Sequence, residues 1–113
     1  MKLISTRTQA VIVENLRVAN KPWSRICGLL FKPALTSNQG LALIPCNSIH
    51  SLGMRYAIDV IYLDKKNRVV KCSSDFKPNS LGPVVFKSRA VIEMPAGKLR
   101  GLDIQIGDQL NFV

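Results

Sequence analysis

Aromatic residues make up only 6% of this 113-residue chain. Its core must therefore be mainly aliphatic, and serial stacking of bases on rings, as single-stranded nucleic-acid binders use, is disfavoured. Acidic side chains are also few, 7 against 16 lysines and arginines, a formal charge of +9. There is one histidine. The three cysteines, Cys27, Cys46 and Cys72, contain no C-x-x-C pair and cannot all bond to one another, so reduced thiols in a cytoplasmic setting are expected. No apolar run approaches the roughly 20 residues of a membrane span, and the opening "MKLISTRTQAVIVENL" turns polar before a signal-peptide core can form. No membrane span and no leader are expected.

What is present is a single domain by length, with 47% hydrophobic residues, too many for a disordered chain. The segment "QAVIVENLRVA" (9–19) reads as a strand with a bend around Glu14-Asn15. In "NKPWSRICGLLFKP" the period changes. Trp23, Ile26, Cys27 and Leu30 fall on one helical face, Pro22 suits the first turn and Pro33 stops it, so a main helix is expected over about 22–32. "LALIP" is a short strand ended by Pro45. "AIDVIYLDKKNRVVKCSS" reads as a hairpin, Ile58 to Leu63, a turn at 64–67, and a return over Arg68 to Ser73. "SDFKPNSLGP" reads as a loop, 84–86 and 89–94 as strands, "PAGKLRG" as a helical turn over about 95–101, and "IQIGDQLNFV" as two short strands around Gly107-Asp108. The expected fold class is α+β: one curved, mostly antiparallel, barrel-like sheet with one main helix.

Three ordered phrases carry a family signal. "SRICGLLF", "GMRYAIDVIYLDKKNRVV", and "VIEMPAG" with a later "IGD" together resemble the DUF192 family, small prokaryotic domains of unassigned function. The likeness runs from about Ala10 to Phe112 and falls on Arg25, Gly28, Leu29, Met54, Arg55, Ile58, Asp59, Leu63, Asp64, Glu93, Pro95, Ala96, Gly97, Gly107 and Asp108. Gly53 stands where many relatives carry tryptophan, and Ala57 where many carry proline. The resemblance implies a compact, strand-rich α+β fold. It implies no reaction, cofactor or catalytic residue.

The chemistry-bearing stretch is "IPCNSIHSLGMRYAIDVIYLD" (44–64). Cys46, His50 and Met54 stand four apart and would form a soft metal site on a helix. However, Pro45, Gly53 and the turn-forming Asn47-Ser48 argue for an irregular segment between strands, so no metal and no cofactor are expected. A Cys46–His50 thiol pair oriented by Asp59 would need contact that the spacing does not supply. Asp59 enters a strand that is apolar on both faces, so its carboxylate needs partners. Arg55, Arg25 and the amides of residues 50–54 are the candidates, forming a clasp between loop and sheet. The 95–101 turn offers amides to an anion, a role that Glu93 just ahead of it opposes.

Two classes of function follow. The leading one is a non-enzymatic binding or accessory module for a small ligand or protein, with Arg25, His50, Met54, Arg55 and Asp59 around one cleft. The alternative is an acidic-partner or nucleic-acid binder using Lys65, Lys66, Arg68 and Lys71 on the hairpin, although no run of five like charges occurs. A metal- or thiol-dependent enzyme ranks third.

Overall fold

The computed structural model describes residues 1–21 and 34–113. The helix expected over 22–32, with Arg25 and Cys27, lies outside them. The described strands are β1 (Leu3–Ser5), β2 (Val11–Val13), β3 (Asn15–Ala19), β4 (Gln39–Leu43), β5 (Ile58–Leu63), β6 (Val69–Phe76), β7 (Ala90–Pro95) and β8 (Leu110–Phe112). A single 3-10 turn at Leu99–Gly101 is the only helical element among the described residues.

These strands form two sheets, a small one in the order β2-β1-β8 and a larger one in the order β3-β4-β7-β5-β6. The α+β expectation with a single barrel-like sheet is therefore corrected. Regular structure in the described residues is almost entirely β, and neither sheet closes, because β3 and β6 lie at opposite ends of the larger one. The bend at Glu14 is the physical reason for the split. It passes the chain from β2 in the small sheet to β3 in the large one, so what reads as one bent strand serves two layers. All pairings are antiparallel except β3 with β4.

The large sheet is buried on both faces. On one face Ile61, Leu63, Ala90, Ile92, Met94 and Ala42 pack with Leu3, Ile12, Val13 and Leu110 of the small sheet. On the other, Ile58, Val60, Tyr62, Val91, Leu41 and Leu43 are covered by Ile49, Met54 and half-buried Val85 from the connecting loops. This two-sided burial explains why β5 and β7 lack polar alternation: β5 is buried throughout, and β7 up to its last residue.

Several smaller expectations also change. β6 continues through Phe76 into the segment read as a loop. Residues 84–86 form no strand. Gly82 and Val85 instead donate backbone bonds of 2.8 Å to Ile49 and Asn47, and a turn closes from Ser88 to Val85, so this stretch laces onto the 46–50 loop. Only β8 forms near the C-terminus. The helical turn is shorter than 95–101, because Pro95 still belongs to β7.

Candidate functional site

Among the described residues, the irregular segment after β4 does not gather Met54 and Asp59 with His50 and Arg55 on one surface. Cys46 is half-buried and its thiol donates to the Ser48 carbonyl at 3.0 Å. His50 is exposed, and its Nδ1 accepts the Leu52 N–H at 3.3 Å. Arg55 is exposed, while Met54 packs with Ile58, Val60 and Tyr62. Asp59 is fully buried and points from the opposite face of β5, because successive residues of a strand alternate. Among the described residues, no group of three His, Cys, Asp or Glu side chains could hold a metal ion.

Asp59 is a clasp, and its partners among the described residues are neither Arg55 nor the amides of residues 50–54. Its Oδ1 accepts the N–H of Asp75 and its Oδ2 the N–H of Leu99, both at 2.8 Å. The first bond has a local cause. Between the pairs Ile58–Phe76 and Val60–Ser73, β6 carries one residue more than β5, a bulge with Asp75 at a φ of 56°. Bulging removes an amide from the ladder, and the carboxylate takes it up. Leu99 opens the 3-10 turn, where an amide has no partner within the helix. One buried carboxylate thus fixes a bulge and a helix start.

Glu93 is a second buried carboxylate, facing Val60 and Leu41 across the strands. Its Oε2 and the Tyr62 hydroxyl have no hydrogen-bond partner among the described residues. Burial pushes the Glu93 pKa up to about 7. Desolvation also raises the phenols of Tyr56 and Tyr62, with the charge of Glu93 adding to it. Burial by itself favours the protonated carboxyl of Glu93 in the sheet.

An open concavity lies elsewhere. A groove of about 710 Å³ is lined by the hairpin residues Asp64, Lys65 and Arg68, by Val69 and Val70 at the start of β6, by the 86–89 segment, and by Ile106 and Gly107. Its charged lining is four cations, Lys65, Arg68, Lys87 and Arg89, against one carboxylate, Asp64. That carboxylate is already engaged. Asp64 Oδ1 accepts the amides of Lys66 and Arg68 at 2.9 Å, and Oδ2 meets Arg68 Nε at 3.0 Å. Burial pushes the Asp64 pKa up, but these hydrogen bonds outweigh it and hold the carboxyl below its ordinary value. Among the described residues, Lys65, Lys87 and Arg89 are in no ion pair. The groove is therefore positive and rigid at the hairpin turn.

Lys65 and Arg68 of the expected basic set line this groove; Lys66 and Lys71 are exposed outside its lining. Phe86, Lys87, Arg89 and Ile106 were missed. The signal for the first three was the run "FKSR", in which nothing reveals that a phenylalanine next to a lysine stays outside the core; Ile106 lies in a separate segment.

The comparisons agree with this fold and leave activity unassigned. The profile of DUF192, described as an uncharacterized ACR, matches residues 3–112. A UPF0127 protein of Pyrococcus furiosus is 29% identical over 113 residues, covering 95% of this chain and 93% of that protein. A UPF0127 protein of Pyrococcus horikoshii is 32% identical over 100 residues, covering 86% of each. Among solved structures, a Novosphingobium aromaticivorans protein of unknown function superposes with a TM-score of 0.86 at 20% identity, covering 99% of this chain and 84% of that one. At that identity the likeness speaks to the fold alone. With the profile matched from Leu3 to Phe112, this chain belongs to the DUF192 family.

Proposed function

We propose that this chain is a non-enzymatic binding module for an anionic partner, and that the groove between the 64–68 hairpin turn and the 86–89 segment is its contact surface. One observation carries the reading: four cations line a single concavity whose only carboxylate is committed to the hairpin. Clustered charge of one sign in a concave surface raises the local concentration of the opposite charge and speeds encounter. The cleft expected at residues 46–59 is less well supported, since Met54 and Asp59 are buried on different faces of the sheet.

The test separates the groove from net charge. Fluorescein-labelled poly-glutamate is titrated against the protein and two triple variants of equal net charge. One variant carries Lys65→Ser, Lys87→Ser and Arg89→Ser; the other carries Lys2→Ser, Arg17→Ser and Arg100→Ser, all outside the groove lining. The groove variant is expected to lose about tenfold or more in affinity, as loss of several partly desolvated contacts implies. Equal losses in both variants would reduce the reading to general surface charge, which salt screens.

A further inference from the structure

The groove is not only positive. Phe86 is 91% exposed and Ile106 66% exposed, and both line it, with half-buried Val70 between the basic residues. Single exposed apolar side chains are ordinary, but two large ones converging on one basic depression are a different matter. Protein interfaces concentrate their binding energy in this way, with an aromatic or aliphatic anchor in a pocket beside an arginine.

Resting on the anionic-partner reading, we infer that the groove docks an acidic peptide segment of another protein, its carboxylates meeting Lys65, Lys87 and Arg89 while an aliphatic side chain seats between Phe86 and Ile106. Charge complementarity sets the acidic character of the segment. The two apolar walls set its aliphatic anchor. A single nucleic-acid strand fits less well, since sequence-tolerant binding of that kind uses successive aromatic platforms, and Phe86 is the one ring in the lining. A lipid surface takes up a broad apolar face, whereas Phe86 and Ile106 are the two large exposed apolar side chains of this lining. The Asp64 hydrogen bonds hold the hairpin side of the groove in shape before a partner arrives, which reduces the ordering cost of binding.

An array of immobilised decapeptides randomised over all side-chain types is probed with the full chain and with Phe86→Ser, a substitution at an exposed side chain that leaves the core intact. Ten-residue oligothymidylate and vesicles containing phosphatidylserine are probed in parallel. Bound peptides are expected to combine at least two acidic residues with an aliphatic one. Phe86→Ser is expected to weaken them at least fivefold without moving the melting temperature. Acidic peptides bound with no aliphatic preference, or binding unmoved by Phe86→Ser, would overturn the peptide anchor. A blank array beside tight oligothymidylate or vesicle binding would also overturn the peptide inference, yet leave the anionic-partner reading standing. No binding to any of the three probes would sink both.

Discussion

Asp59 and Glu93 meet the same difficulty on neighbouring strands, a carboxylate among apolar side chains, and they resolve it in opposite ways. Asp59 gathers two amides, from Asp75 and Leu99, whereas Glu93 has an unpartnered oxygen and is driven by burial toward its neutral form. The expected consequence at Asp59 is large. Asp59→Ala strands two amides at a bulge and a helix start and is expected to cost about 3 kcal/mol. Asp59→Asn, whose single carbonyl oxygen replaces one acceptor, should cost less. Urea titration of the three proteins checks this, and an unchanged midpoint in Asp59→Ala would remove the clasp from the account. In the sequence, the need of Asp59 for partners was legible from its apolar flanks. The partners were not, because both come from distant segments that the bulge and the 3-10 turn bring alongside β5.

At the scale of elements, the hairpin 58–73 was the most legible part, since an apolar run, a four-residue turn and a returning strand are all local signals. β1 escaped because three residues carry too short a pattern. The stretch 84–86 misled because its β-rich residues lace to a loop rather than to a sheet. The two sheets approach closely at Gly40 of β4. A Cβ there would stand 2.9 Å from Val13 Cγ1 and 3.3 Å from the Glu93 carbonyl oxygen, so the small sheet leans on the large one through a missing side chain. Gly40→Ala is expected to destabilise by roughly 1–3 kcal/mol, the usual range for overpacking. Combining it with Val13→Ala should cost less than the sum of the single changes, since the second substitution makes the room the first lacks. Additive losses in a double-mutant cycle would show that the two positions do not press on one another.

For the whole molecule, the carboxylates predict a stability maximum in mildly acid solution. Glu93 has a folded pKa of about 7 against an ordinary 4.5. Between these values the unfolded chain releases a proton that the folded chain keeps. Its contribution is therefore present in acid and is lost as pH rises toward 7, about 3 kcal/mol in all. Asp103 and Asp108 behave in the reverse sense. Hydrogen bonds from the Arg7 guanidinium hold both below the usual carboxylate range, and with Asp64 they contribute stability that is lost as pH falls through their lowered pKa values. Thermal melts are expected to peak near roughly pH 5. Glu93→Gln should remove most of the decline toward pH 8, and a variant that declines as steeply as the parent would show that Glu93 is not its cause.

By itself the sequence determined the family, the aliphatic core, the surplus of positive charge, the bend at Glu14 and the β5–β6 hairpin, because each is written in neighbouring residues or in composition. Tertiary structure alone decided that β2 and β3 belong to different sheets, that Asp59 is held from Asp75 and Leu99, and that Met54 and Asp59 face apart. It also decided that Lys65, Lys87, Arg89, Phe86 and Ile106 share a groove. Each of these is a contact between segments far apart in the chain, fixed by how the two sheets pack and by where a one-residue bulge turns an amide, and local residue pattern carries no record of such distances.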